Sequence, residues 1–158
     1  MIDDKINGAV LAISISERRG IKKRNVEFAE LKEDFGIIHD AHAGQWHRQV
    51  SLLAVESMQK IKEKGLNVKP GDFAENICME GLDIAQIKIG TKIKIGEDSL
   101  PEFSQIGKDC HQRCHIYYSV GDCVMPREGI FARVLKGGTI KPQDKICLIN
   151  QEQFLNLL

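Results

Sequence analysis

The 158-residue chain has no excess of charge of either sign, since Lys plus Arg and Asp plus Glu both number 22. Without such an excess no overall field draws the protein toward nucleic acid or an anionic membrane, and we expect neither as a partner. No apolar run approaches the roughly 18 residues that a membrane span needs. Acidic Asp3 and Asp4 stand where a secretory signal would carry bases, which predicts a cytoplasmic protein.

Aromatic residues are scarce at 6%, whereas hydrophobic residues make up 42% of the chain and charged residues 28%. This composition is typical of a soluble globular protein. The length predicts one domain over residues 1–158, and no linker, repeat or low-complexity tract interrupts it. The cysteines number five, and in a cytosol an odd set of this kind predicts reduced thiols and not a disulfide scaffold.

Hydrophobic periodicity predicts a mainly β domain. The predicted strands are residues 9–16, 84–95 (as a hairpin), 115–120 and 145–149. The predicted helices are residues 51–64, with Ser51 as the N-cap, and residues 127–136, which follow Pro126 and end at Gly137. Several short strands with about two short helices indicate a barrel that closes its own sheet edges. The basic run at residues 22–24 is either a solvated turn or an anion-steering patch.

Three cysteines and two histidines fall within residues 110–123. One interpretation is a zinc site, although the spacing of Cys110 and Cys114 lacks the paired pattern typical of zinc knuckles and gives no firm support for zinc. A second is a thiolate that carries sulfur or binds a soft metal such as molybdenum, helped by Lys108 and Arg113. A third is a redox pair, which this spacing favours only weakly. The fourth is a set of cysteines buried as small apolar side chains, and Cys78 and Cys147 fit this interpretation.

A second cluster of polar residues occupies residues 39–49. His42 and His47 are candidates for metal binding or proton transfer, and Asp40 is placed to orient one of them. Arg48 has the planar fork that suits phosphate or carboxylate. Trp46 offers a flat face for a heterocycle or belongs to the core. A third segment, residues 71–76, lacks the Gly-Lys ending of a phosphate-binding loop and is either a polar ligand site or a plain turn.

Taken together and in this order, these segments resemble the MOSC domain family, named for the C-terminal domain of molybdenum cofactor sulfurases. The matching segments are residues 40–44, 46–53, 71–77, 80–82, 107–111 and 121–134. The resemblance is to the short, stand-alone type and runs from the first strand to Ile149. It implies a β-rich barrel and a link to molybdenum cofactor chemistry.

The resemblance also implies roles for particular residues. The characteristic cysteine of the family corresponds to Cys110, as the sulfur-bearing or metal-binding thiolate, with Cys114 as the second candidate. The residues expected to bind the cofactor or to support the thiolate are His42, Arg48, Asn76, Lys108 and Arg113. The chain would act as a molybdenum cofactor-binding reductase or as a sulfur carrier, with cofactor-biosynthesis or sulfur-donor proteins as partners. The alternative is a non-catalytic, zinc-stabilised or adaptor domain of the same pathway.

Two positions depart from the family pattern. His39 stands where glycine is usual, which suggests an altered loop or a new polar contact, because glycine permits a positive φ there. Asp109 replaces a residue that is often proline, and a carboxylate beside Cys110 would raise the pKa of the thiol and oppose Lys108 and Arg113.

Overall fold

The computed structural model describes residues 7–83, 85, 87–108, 115–121 and 123–158. Within these ranges the chain forms eleven strands and four helices. The strands are β1 (Asn7–Ile15), β2 (Arg24–Val26), β3 (Ala29–Lys32), β4 (Gly36–Ile37), β5 (Val50–Ala54), β6 (Ile77–Glu80), β7 (Lys92–Ile95), β8 (Leu100–Ile106), β9 (Ile130–Lys136), β10 (Gly138–Ile140) and β11 (Lys145–Ile149). The helices are α1 (Val55–Lys62), α2 (His115–Val120), α3 (Met125–Glu128) and α4 (Gln151–Leu157).

Seven of the described strands close into a barrel in the order β11-β7-β8-β9-β5-β6-β1, and pairing of β1 with β11 completes the ring. Strand β2 extends the sheet beyond β1, while β10, β3 and β4 form a separate small sheet. The neighbours within the barrel are antiparallel except β5 and β6, which run parallel. Parallel strands need a crossover connection, and α1 lies in it. The predicted mainly β barrel is therefore confirmed.

Two apolar cores hold this arrangement together. The barrel interior is filled by aliphatic and aromatic side chains that include Val10, Ile13, Leu52, Ile77, Ile93, Phe103, Ile130 and Ile146. The second core lies between α1 and the outside of the barrel and includes Leu53, Met58, Ile61, Cys78, Val124 and Phe131. All five residues of β5 are buried, because one face of the strand meets the interior and the other meets the second core. No helix among the described residues is long and apolar enough to cross a membrane.

Two of the strand predictions hold closely. The alternating segment 9–16 lies in β1, and residues 145–149 form β11 with the predicted bounds. The hairpin predicted for residues 84–95 is wrong: only Lys92–Ile95 of the described part is a strand, and it pairs with β8 and β11. Residues 84 and 86 lie outside the described residues.

The helix predicted for residues 51–64 begins too early, and Ser51 is not its N-cap. Residues 51–54 belong to β5, and α1 begins at Val55 after an Ala54 that makes no side-chain cap. A strand buried on both faces reads as a continuous apolar run, and its periodicity cannot be told from that of a buried helix.

The remaining two element predictions are wrong: most of the predicted helix is a strand, and the predicted strand is a helix. The predicted helix at residues 127–136 is the end of α3 followed by β9, which pairs with β5 and β8 across the barrel. The predicted strand at residues 115–120 is α2, which ends where Gly121 adopts a φ of 74° and donates its N–H to Tyr117 O. The described residues thus hold four short helices where about two were predicted.

Candidate functional site

The segment between β4 and β5, residues 38–49, is called the histidine loop below. Several hydrogen bonds tie its backbone to the rest of the fold. Ala41 N donates to Ser16 O at 2.8 Å, just beyond the end of β1, and Gly44 N donates to Phe35 O at 2.7 Å. The loop therefore presents its polar side chains at a fixed place beside the end of β1.

Lys23 forms an ion pair with Asp40 of this loop, and both side chains are fully buried. Lys23 Nζ lies 2.9 Å from Asp40 Oδ1 and donates also to Ser16 Oγ at 2.9 Å. Asp40 accepts two backbone N–H groups, from Ser16 at 3.1 Å and His42 at 3.0 Å. Burial alone would raise the pKa of Asp40, but the hydrogen bond and charge of Lys23, together with these N–H donors, outweigh it and lower that pKa. Asp40 is thus a fixed anion.

His42 lies on top of this pair. Its Nδ1 is 3.0 Å from Lys23 Nζ and 3.9 Å from Asp40 Oδ2, and its side chain is 18% exposed. Burial and the charge of Lys23 lower the pKa of His42 to about 4, with smaller contributions from Arg19 and Lys108 and only partial opposition from Asp40. His42 is therefore a neutral imidazole at neutral pH.

Trp46 organises two guanidinium groups beside His42. Its indole N–H donates to His42 O at 2.7 Å, and the two rings are parallel with centroids 6.5 Å apart. The guanidinium carbons of Arg19 and Arg48 each lie 4.6 Å from the centroid of the Trp46 ring, and Arg48 also lies 5.7 Å from that of Phe131. Trp46 thus holds cations by its π face, which a weakly hydrated guanidinium favours.

Arg48 carries the most unusual polar atom of the site. Its Nε is buried and has no hydrogen-bond partner within the described part of the chain. Most buried polar atoms in native structures are paired, so an unpaired N–H of a charged group needs an explanation. A guanidinium between Trp46 and Phe131 with a free donor is suited to an anionic oxygen.

Gly107 and Lys108, which follow β8, are fixed by two backbone hydrogen bonds. Lys108 N donates to Pro126 O at 3.2 Å, and Gly107 N donates to Gly129 O at 2.6 Å. Gly107 has a φ of 75°, and a β-carbon there would lie 2.4 Å from Pro126 O, so glycine is required. The charge of Lys108 contributes to the lowered pKa of His42, as the smallest of the named causes.

The cysteine predictions themselves lie outside the described residues. This holds for Cys110, Cys114 and Arg113, and also for the departure at Asp109. Among the described residues no group of three or more His, Cys, Asp or Glu side chains could hold a metal ion. Cys78 is buried in β6, and burial raises the pKa of its thiol to about 12, which makes it an inert packing residue.

Asn76 makes its side-chain hydrogen bonds within the barrel wall. It is fully buried; its Oδ1 accepts from Ser51 N at 3.0 Å and its Nδ2 donates to Ser14 O at 3.1 Å, which ties β5 to β1. The neighbouring Glu75 is also buried and accepts the N–H groups of Gly71 and Phe73. Burial raises the pKa of Glu75 to about 7 in spite of these donors. Segment 71–76 therefore forms a structural network.

His39 keeps the backbone shape for which glycine is better suited. Its φ is 74°, in the left-handed region, and its side chain is exposed. The loop therefore retains a turn with positive φ at the expense of strain at one residue. His47, the other histidine proposed as a ligand, is exposed and its Nε2 lies 2.7 Å from Gln105 Oε1.

The structure places His42 and Arg48, two of the residues that the resemblance implied as pocket residues, against Trp46, and their roles stay predictions. It also adds residues that the sequence did not indicate. Lys23 stands in a basic run that reads as solvated, but its side chain is buried against Asp40 and His42. Ser16 and Arg19 complete the cluster from the end of β1. No pattern in the sequence links Lys23 to a carboxylate seventeen residues later.

Comparisons with known proteins agree with this fold. The chain is similar to the YuaD protein from Bacillus subtilis, with 16% identity, a TM-score of 0.76, and coverage of 92% of this chain and 98% of that one. It is also similar to YiiM from Geobacillus stearothermophilus (18% identity, TM-score 0.66, coverage 91% and 76%) and YiiM from Escherichia coli (17%, 0.64, 90% and 70%). No curated protein sequence matches the chain. The model of the MOSC domain matches residues 39–147, which include the histidine loop and most of the barrel, and the chain therefore belongs to the MOSC domain family.

Proposed function

We propose that the protein binds the molybdenum cofactor at the cluster around Trp46 and uses Cys110 as the thiolate that carries sulfur or binds the metal. The observation that carries the proposal is the buried, unpaired Nε of Arg48 in the described part of the chain. Family membership links the chain to molybdenum cofactor sulfurase-like proteins. The site chemistry then indicates which part of the cofactor these residues would hold.

The residues of the cluster fit the phosphate of a pterin cofactor. Arg19 and Arg48 are oriented by the Trp46 ring, and the charge of Lys108 reaches His42. Guanidinium groups bind phosphate through parallel N–H donors, and a partly buried set of cations is screened less by salt than one on an open surface. Arg48 would bind the phosphate directly, while Arg19 and Lys108 would add positive charge beside it.

When bound, the cofactor would supply a metal centre for redox or sulfur chemistry. The chain's own residues have simpler tasks. The cations hold the anionic end and fix the orientation of the cofactor. Lys108 and Arg113 adjoin the cysteine in sequence, and their charges would favour the thiolate of Cys110 while Asp109 opposes them. The neutral His42 adds a polar contact and no charge.

The sulfur-carrier role requires only Cys110 and a donor persulfide. The thiolate of Cys110 would attack the outer sulfur of the donor persulfide; the donor S–S bond breaks, a new S–S bond forms on Cys110, and the donor cysteine leaves as its thiolate. The sequence holds no recognisable pyridoxal phosphate machinery, so the sulfur must come from another protein. A sulfur-donor or cofactor-biosynthesis protein is therefore the partner that we propose.

The test is metal and pterin analysis of the purified protein, by elemental mass spectrometry and by fluorescence of the oxidised pterin. We expect molybdenum and pterin near one equivalent in the wild type and in Arg133→Lys, a control at an exposed arginine of β9. In Arg48→Lys, which keeps the charge but removes Nε, both should fall about tenfold or more, because a hydrogen bond to a charged group contributes about 1.5–3 kcal/mol. Equal loading of Arg48→Lys and the wild type would contradict the proposal.

A second measurement separates the thiolate role from the zinc-stabilised alternative. A carrier or metal-binding Cys110 should be the fastest-alkylating thiol, while Cys78 should react slowly because burial raises its pKa to about 12. Cys110→Ala should then abolish persulfide loading without loss of folding. Bound zinc without pterin, together with unfolding on chelation, would instead support the adaptor domain.

A further inference from the structure

The hydrogen-bond donors and acceptors around Lys23 determine which ring nitrogen of His42 carries a proton. Lys23 Nζ has three neighbours at hydrogen-bond distance: Ser16 Oγ at 2.9 Å, Asp40 Oδ1 at 2.9 Å and His42 Nδ1 at 3.0 Å. An ammonium group carries three N–H donors and no acceptor. Each of the three neighbours must therefore present a lone pair to Lys23.

The other two neighbours agree with this assignment. Ser16 Oγ donates its own hydrogen to Arg18 O at 2.9 Å, so its oxygen is available to accept from Lys23. Asp40 is an anion that accepts from Lys23 and from two backbone N–H groups. The third N–H of Lys23 therefore points at His42, and Nδ1 must be the unprotonated nitrogen that accepts it.

A proton on His42 Nδ1 would have no suitable acceptor. It would point at an ammonium group 3.0 Å away, and Asp40 Oδ2, at 3.9 Å, is beyond hydrogen-bond distance. The neutral ring carries one N–H, which then lies on Nε2. Within the described residues this nitrogen has no hydrogen-bond partner, and the side chain keeps 18% of its surface exposed.

We infer that Lys23 is a positioning residue that holds His42 in the tautomer protonated on Nε2, so that the Nε2–H is a permanent hydrogen-bond donor for an anionic oxygen of the ligand. The charged groups acting on the ring are Lys23, Asp40, Arg19 and Lys108, of which three are cations. A ring held in this way is neither a metal ligand nor a proton acceptor. Only the identity of the ligand rests on the proposed function.

The inference adds a second uncommitted donor to the one on Arg48. Both residues adjoin Trp46: His42 accepts the indole N–H on its carbonyl, and Arg48 lies over the ring. Two N–H groups without partners in the described chain, set among cations, suit a phosphate or an oxo group. The ligand class is thus an oxyanion with at least two acceptor oxygens.

The tautomer is measured directly by long-range ¹H–¹⁵N correlation spectra of the labelled, ligand-free protein, with His42 assigned by its absence in His42→Gln. We expect protonated Nε2 and unprotonated Nδ1 from pH 5.5 to 8. A proton on Nδ1, or titration near the ordinary pKa of histidine, would overturn the inference. This result does not depend on whether the molybdenum cofactor binds.

A variant pair tests the role of Lys23. Lys23→Met alone leaves Asp40 buried without its cation, so the variant used is Lys23→Met/Asp40→Asn, with exposed Lys22→Met as the control. The double variant should give mixed His42 tautomers while the other histidine signals show that the fold is kept. Lys22→Met should leave the spectrum unchanged. A His42 spectrum unaltered in the double variant would show that Lys23 does not position the ring.

The use of the donor is tested with inorganic phosphate and, separately, molybdate. The amide nitrogen of His42→Gln can replace Nε2–H, whereas His42→Leu has no donor. For the anion that binds, His42→Leu should weaken the affinity about tenfold or more, and His42→Gln should recover most of the loss. An effect on phosphate assigns the donor to the phosphate end of the cofactor, and an effect on molybdate assigns it to the oxo groups. Equal affinities of wild type and His42→Leu for both anions would remove His42 from the site.

Discussion

Asn76 and Arg48 lie on either side of strand β5 in sequence, and the fold treats their polar atoms in opposite ways. The amide oxygen and nitrogen of Asn76 are both used by backbone groups of the barrel wall. The Nε of Arg48 is buried as well, but has no partner within the described chain. Buried polar groups are costly unless paired, so the contrast separates a region that the fold completes by itself from one that we propose a ligand completes.

Lys23 stands at the border of these regions. Its backbone N–H donates to Gly71 O, in the loop that holds Glu75, and its side chain contacts Asp40 and His42 of the histidine loop. A β-carbon at Gly71 would lie 2.2 Å from Lys23 O, so the two segments are in close contact. The site is therefore supported by the same polar framework that closes the barrel.

The largest loss of stability is expected for substitution of Lys23, which contacts both regions. Lys23→Met leaves the buried carboxylate of Asp40 without its cation, and removal of one partner of a buried ion pair costs about 3–5 kcal/mol in the free energy of unfolding. The exposed neighbour change Lys22→Met should stay within about 0.5 kcal/mol. Urea unfolding measures both. A loss below about 1 kcal/mol for Lys23→Met would mean that the ion pair is not part of the framework.

A comparable loss is expected inside the completed region. Asn76→Ala leaves Ser51 N and Ser14 O without their side-chain partner, and each buried unpaired group costs about 1–3 kcal/mol, which gives about 2–6 kcal/mol for the two. Asn25→Ala, at an exposed position of β2, is the matched control and should change little. Arg48→Lys, by contrast, should lower the free energy of unfolding by less than Asn76→Ala does. Equal losses for Asn76→Ala and Arg48→Lys would erase the contrast between the two regions.

The two regions should also respond to pH with opposite signs. Glu75 has its pKa raised from 4.5 to about 7, so its contribution to stability is present below pH 4.5 and lost as the pH rises toward 7. His42 has its pKa lowered from 6.5 to about 4, so its contribution is present above pH 6.5 and lost as the pH falls toward 4.

These contributions oppose each other between pH 4.5 and 6.5, and variants should reveal each one. Relative to the wild type, Glu75→Gln should make the free energy of unfolding rise with pH and His42→Gln should make it fall. Each change in slope approaches about 1.4 kcal/mol per pH unit. Denaturant titrations at pH 4.5, 5.5 and 6.5 suffice. Changes of the same sign for both variants would contradict the assigned shifts.

The smallest effect concerns strain in the histidine loop. His39 has a φ of 74°, which costs a residue with a β-carbon about 1–2 kcal/mol, partly offset by the extra freedom of glycine when unfolded. His39→Gly should therefore stabilise the protein by about 0.5–1 kcal/mol. His39→Ala keeps the β-carbon and should bring no gain. If His39→Ala stabilised the protein as much as His39→Gly, the imidazole and not the backbone conformation would be the source of the strain.

Local sequence patterns predicted the strands that alternate between buried and less buried residues. Alternation placed β1 and β11, since one face of each strand meets the core. It failed at β5, which is buried on both faces, and at residues 115–120, where β-branched and aromatic residues form α2. Helix α4 was missed although Asn150 and Gln153 form a capping box that the sequence displays.

The site was predictable only where family motifs carried it. The resemblance implied His42 and Arg48 as pocket residues, and the structure places both against Trp46. Lys23 could not be found in this way, because its partners Asp40 and His42 come from a distant segment and only the closed barrel brings them near. Asn76 was implied as a cofactor contact, which stays a prediction; its side-chain amide joins β5 to β1.

The central claim is that the buried donor of Arg48 is reserved for an oxyanion of the cofactor. The most direct measurement is anaerobic titration of isolated molybdenum cofactor into the wild type and Arg48→Lys, with the free energy of unfolding of both unliganded proteins measured alongside. The account predicts binding at one equivalent, affinity about tenfold or more lower in the variant, and nearly equal stability of the two free proteins. Equal affinities, or a loss of affinity explained by a loss of stability, would contradict it.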